Sequence, residues 1–143
     1  MVTTPLPSAA PVERLVPSWF ASLDVRVDDP VGADAIGLPV LAGGDVPADL
    51  GTDLAALTRA GFTPTVGSAL AEPRRDGPAL VAVGLGEAAA LTAAGLRDAA
   101  AAFARAVPRD GALAFVLPSS DAVGPGEAAA AVVEGVLLAR HRF

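Results

Sequence analysis

The sequence has no cysteine, lysine, asparagine, glutamine or tyrosine, and His141 is its one histidine. Without cysteine, the chain can form no disulfide, no thiolate zinc site and no cysteine nucleophile. A single histidine cannot form a multi-histidine metal site. Any chemistry of this chain must therefore work without a thiol. Because lysine is absent, every strongly basic side chain is an arginine.

Positive charge is scarce relative to negative charge. Ten arginines stand against sixteen acidic residues, and the formal net charge at pH 7 is −6. The only clusters of basic residues are two short groups, at 74–75 and 140–142. Binding to a phosphate backbone is driven by clustered cations. We therefore expect no nucleic-acid partner.

Long hydrophobic runs are also missing from the sequence. No apolar run approaches the roughly 20 residues that a membrane-spanning helix requires. The N-terminus has no basic start, and prolines interrupt it at positions 5, 7, 11 and 17, so it does not match a secretory signal. We expect a soluble, cytoplasmic protein with no membrane partner.

The length of 143 residues fits one domain, which can bury a core without disulfides or metal. The composition predicts a flexible, proline-rich N-terminus at residues 1–18 and a folded domain at residues 19–143. Apolar patterning predicts the element order β-β-α-β-β-α-β-α, which indicates an α/β or α+β sheet with helices packed on it.

Two strands are predicted near the start of the domain. In "SLDVRVDD", Leu23, Val25 and Val27 alternate with charged residues, the pattern of a strand with one wet face, and Asp29-Pro30 then turns the chain. The segment 33–41 is more continuously apolar, which predicts a buried strand. Pro39 cannot donate to a ladder, so it indicates an edge or a bulge there.

A helix and a hairpin follow. Leu50, Leu54 and Leu57 form one helical stripe, and Gly61 suits the left-handed residue that ends a helix, with Phe62 folding back onto the last turn. The Asp76-Gly77 pair then predicts the turn of a β-hairpin. Its second strand, at residues 79–84, is apolar on both faces and therefore central.

Two further helices complete the predicted order. One runs from Thr92, its N-cap, to Val107, and the other covers about residues 126–140. Between them, "GALAFVLP" predicts another buried strand. The buried positions expected on the first of these helices are Leu96, Ala100, Phe103 and Val107.

The glycine pair Gly84 and Gly86 lies between an apolar strand and an alanine-rich helix. With Ala89 it matches the G-x-G-x-x-A form of the dinucleotide fingerprint. However, Glu87 would place a carboxylate beside the phosphate, and the helix cap comes only at Thr92. The nearest acid at a strand end, Asp121, lies 32 residues beyond Ala89, where the fingerprint expects about 20. We expect these glycines to serve chain geometry, as a tight exit from a strand.

The remaining candidate groups have ordinary structural interpretations. A Ser-His-Asp triad is conceivable from Ser119, Asp121 and His141, but Ser and Asp after a strand more often form turns or caps. The carboxylates that could hold a metal flank a turn proline or match an exposed helix face: Asp28, Asp29, Asp45, Asp49 and Asp53. Solvated charge explains them better than a metal site.

Several segments together resemble the N-terminal domain of the leucyl aminopeptidases, a cytosolic metallo-exopeptidase family. They are "DAIGLPVL", then "LVAVGLG" with "LT" and "GLRDAAAAFARAV", and finally "AAAAVVEGVLLARHRF". Glu134, Gly135, Leu138 and Phe143 fit family positions in the last segment, whereas His141 stands where an aromatic residue is usual. The resemblance covers about residues 20–143.

The resemblance implies a macro-domain-like fold, three layers of α/β/α with a mixed sheet. It also implies a separate catalytic domain that removes N-terminal residues from peptides with two divalent metals, Zn or Mn, held by Asp, Glu and Lys. None of those motifs occurs in this chain, so we assign no catalytic, cofactor-binding or metal-binding residue here and expect no activity of the chain alone.

The partners implied by the resemblance are the protein's own catalytic domain and sister subunits of a hexamer. The implied role is to support assembly and limit access to the active sites. Two alternatives stay open: a macro-like module that binds ADP-ribose or a nucleotide, and a freestanding interaction protein.

The charge balance predicts that the chain does not bind duplex DNA at physiological salt, because few counterions would be released on association. A gel-shift experiment with random duplex at about 150 mM salt checks this. Retardation of the duplex by micromolar protein would show that the expectation is wrong.

Overall fold

A mixed four-stranded sheet lies at the centre of the structure, a computed structural model that describes residues 24–141. Its strands are β1 (Ala35–Leu41), β2 (Ala69–Glu72), β3 (Ala79–Gly86) and β4 (Leu113–Phe115). The order across the sheet is β2-β3-β1-β4. β1 runs parallel to both β3 and β4, whereas β2 pairs antiparallel with β3. The β2–β3 hairpin confirms the turn predicted at Asp76-Gly77.

Strand β3 has helices on both of its faces, as its unbroken apolar sequence predicts. Val81, Val83 and Leu85 belong to the core on one face of the sheet, and Leu80 and Ala82 belong to the core on the other. All five side chains are buried. A strand that is covered on both faces has a continuously apolar sequence, because the side chains that alternate between the two faces are all buried.

Strand β1 accommodates a proline because its neighbour β4 is short. The carbonyl of Gly37 accepts a hydrogen bond from Val116, so odd-numbered residues of β1 direct their backbone groups toward β4. Pro39 shares that direction, but the ladder to β4 ends at Gly37. The missing N–H therefore costs no ladder bond, and the register shifts one residue beyond, between Val40 and Leu41. β1 is an interior strand and not an edge strand, but Pro39 has no partner on the β4 side, and the register irregularity beside it matches the predicted bulge.

One face of the sheet is covered by a 3₁₀ turn, Ala48–Leu50, and by helix α1 (Leu54–Arg59). The sequence predicts one continuous helix here, and that prediction is wrong. Gly51 adopts φ +63°, which breaks the helix, and Asp53 begins a new one by accepting a hydrogen bond from Ala56 N–H at 2.8 Å. Leu50 and Leu57 still reach the same buried cluster.

Helix α1 ends as predicted. Gly61 has φ +94°, and its N–H donates to Thr58, while the N–H of Phe62 donates to Leu57. These two bonds form a Schellman motif, in which a left-handed glycine satisfies the last carbonyls. The Phe62 side chain is 1% exposed and packs in the same cluster as Leu57.

The other face of the sheet is covered by α2 (Ala93–Ala106), on which α3 (Pro125–Arg140) packs. Thr92 caps α2 by accepting a hydrogen bond from Gly95 N–H at 3.0 Å. The four residues predicted to be buried on this helix are buried, and Phe103 packs edge-on against Phe115 of β4 with ring centroids 5.7 Å apart. The two faces make the α/β/α layers and the mixed sheet that the resemblance implies.

Two polar contacts fasten α3 to α2. Arg97 on α2 forms an ion pair with Glu134 at 3.0 Å. At the end of α3, Arg140 donates to the carbonyls of Asp110 and Val107, the latter at 2.5 Å. A cation at a helix C-terminus is favoured by the dipole and satisfies unpaired carbonyls. Arg140 therefore caps the helix next to its own.

The prediction of a strand from Leu23, Val25 and Val27 is wrong for the residues that the structure describes. Leu23 lies outside them, and residues 24–28 form no strand. Val25 and Val27 are 52% and 89% exposed, because no edge of the described sheet pairs with this segment to cover its apolar side. Arg26 donates to Asp24, and this hydrogen bond lowers the pKa of the Asp24 carboxyl. The strand in "GALAFVLP" exists, but it is short and half-buried.

Gly135 sets the distance between α2 and α3. A Cβ added there would lie 2.1 Å from the carbonyl oxygen of Arg97 and 3.0 Å from Cβ of Ala100. We predict that Gly135→Ala lowers the free energy of unfolding by about 1–3 kcal/mol, because forcing the helices apart outweighs the roughly 1 kcal/mol gain in helix propensity. Chemical denaturation measures the change.

Gly126→Ala is the matched control in the same helix, since a Cβ there would meet no atom within 4 Å. It should leave stability unchanged or raise it by up to about 1 kcal/mol. Equal effects of the two substitutions would contradict a special role for the close contact at Gly135.

Candidate functional site

The candidate site lies at the carboxyl edge of the sheet, where α/β proteins commonly bind ligands. The parallel strands β1, β3 and β4 all end there. Beyond them, the segment after β3 and the segment after β4 form an open depression of about 500 Å³. It is lined by Ala88, Ala89, Ser119, Ser120, Asp121 and Ala122.

The topology thus brings together two segments that lie far apart in the sequence. One is the turn that follows Gly84 and Gly86, and the other is Ser119–Asp121. The hydroxyl of Ser120 accepts a hydrogen bond from Ala122 N–H at 3.0 Å. Serine readily forms local turns through such a side-chain to backbone bond. His141 follows the far end of α3, about 24 Å along a helix of this length from the end that begins near Asp121. The structure therefore does not assemble the conceivable Ser-His-Asp triad.

Gly84 is required by a close approach of the chain to strand β3. A Cβ at this position would lie 2.2 Å from the carbonyl oxygen of Thr65 and 2.9 Å from that of Thr63. Its N–H donates to Ser68 at 2.9 Å. The space that a fingerprint glycine leaves for a pyrophosphate is filled here by the protein's own loop.

Gly86 ends strand β3 with φ +74°, a left-handed conformation that favours glycine. Its carbonyl accepts from Ala42 N–H at 2.8 Å, and its N–H donates to Pro64 at 3.0 Å. Both backbone groups are therefore used within the domain. The geometric role predicted for the glycine pair agrees with these contacts.

The start of α2 also differs from a phosphate-binding turn. A 3₁₀ turn, Ala88–Ala90, lies between Gly86 and the helix, and Thr92 already occupies the N-cap position. Glu87 is exposed at the beginning of this connection. A dinucleotide site instead places the pyrophosphate against free N–H groups at the helix N-terminus.

The candidate carboxylates are dispersed. Asp53 caps α1, and Asp28 accepts a hydrogen bond from Asp29 N–H at 2.8 Å in the turn before β1. Asp45 and Asp49 are exposed. Within residues 24–141, no group of three or more His, Cys, Asp or Glu residues is placed to hold a metal ion.

Sequence reasoning missed Asp34, which joins three strands. Its carboxylate accepts hydrogen bonds from Gly111 N–H at 3.1 Å and Ala112 N–H at 2.9 Å, and its carbonyl accepts one from Ala79 N–H at 2.9 Å. It therefore aligns the starts of β1, β3 and β4. The partners lie far away in the sequence, so no local pattern signals the contact.

A second depression, of about 470 Å³, lies at the other end of α2. The hairpin residues Ala71, Pro73 and Ala79 line it together with residues 106–110. Arg140 contacts the same loop.

In the part of the chain that the structure describes, no helix is long and apolar enough to cross a membrane.

Comparison with known proteins identifies the class of this domain. Residues 50–143 match the model of the cytosol aminopeptidase family, N-terminal domain. This match covers most of the chain, and the chain therefore belongs to that family. No curated protein matches the sequence.

The solved structures that are similar to this chain include two of one enzyme. One is the bottromycin maturation enzyme BotP, with 36% sequence identity and a TM-score of 0.65 over 78% of this chain. The other is the same enzyme in complex with Mn, with a TM-score of 0.64 and the same identity and coverage. This chain spans 24% of the length of BotP.

The geometry of the glycine turn predicts that millimolar NAD or ADP-ribose leaves the melting temperature of the chain unchanged. A ligand present at 100 times its Kd would add about 2.7 kcal/mol to stability, a shift of several degrees. Differential scanning fluorimetry makes the measurement, with buffer of equal ionic strength as the control. A clear upward shift with either compound would instead favour the nucleotide-binding alternative.

Proposed function

We propose that this chain is the non-catalytic N-terminal domain of a metal-dependent leucyl aminopeptidase, an enzyme that removes N-terminal residues from peptides. The observation that carries the proposal is the family match over residues 50–143 in a chain that spans 24% of a similar enzyme. The resemblance found in the sequence, from the early strand to the last helix, supports the same assignment.

The metals of the family would be held by the catalytic half. Two-metal hydrolysis needs several ligands that fix both ions about 3.5–4 Å apart. The described residues do not fit such a site, because their carboxylates are dispersed in caps and turns and form no cluster. We therefore derive no catalytic step from residues 24–141.

The role that we propose for the domain is to support assembly and to limit access to the active sites. Its features suit a scaffold, since both faces of the sheet are packed with apolar side chains and its helices are held by caps and by the Arg97–Glu134 ion pair. The proposed partners are the catalytic domain and sister subunits of a hexamer. We propose a cytoplasmic location, in keeping with the family's name.

We predict that the chain alone releases no chromophore from a leucyl amide substrate with manganese, zinc, cobalt or magnesium. The physical reason is that the described residues offer no cluster of ligands to bind and position the ions. The assay uses purified protein with each metal added in turn. Metal-dependent turnover that tracks the protein peak through repurification would contradict the proposal.

The matching positive experiment joins the chain to a catalytic half. A chimera in which this chain replaces the matching 24% of BotP should retain the activity that unmodified BotP shows on a panel of aminoacyl amides in the presence of Mn. Unmodified BotP is the control. A chimera that is folded but inactive, beside an active control, would show that this chain does not serve as that domain.

A further inference from the structure

We draw no further inference here: the strongest candidate, the outer edge of strand β4 together with the exposed Val25 and Val27 in the segment before β1, carries nothing because nothing in the part of the chain that the structure describes shows what covers it.

Discussion

The backbone contact between α2 and α3 at Gly135 determines the arrangement of the helical layer. Because a Cβ would come within 2.1 Å of the Arg97 carbonyl, only glycine allows the helices to lie this close. The close approach places Ala128, Ala131 and Val132 of α3 inward. It also places Arg97 within reach of Glu134, and Arg140 within reach of the carbonyls that end α2.

Local sequence patterns predicted those features whose causes are local. Thr92 caps α2 through a residue three positions away, and Gly61 with Phe62 ends α1 through the preceding turn. The apolar run of β3 likewise predicts that both faces of this strand are buried. In each case the physical cause lies within a few residues of the pattern that signals it.

Features that depend on distant partners could not be predicted in this way. Asp34 binds Gly111 and Ala112, and Gly135 meets Arg97, across long separations in the sequence. The alternation at Val25 and Val27 satisfies the local rule for a strand but lacks a partner edge among the described residues. The depression at the carboxyl edge could not be predicted from local patterns either, because only the parallel topology brings Ala88 near Ser119. The family was suggested by segments whose order and spacing, rather than any single motif, are informative.

We propose that this domain works packed against a catalytic domain. Differential scanning calorimetry of the isolated chain and of the BotP chimera tests it directly, since an interface that exists only in the folded state stabilises the domain. The account predicts that the transition assigned to this domain lies several degrees higher in the chimera than in the isolated chain. An independent transition in the chimera at the melting temperature of the isolated chain would contradict it.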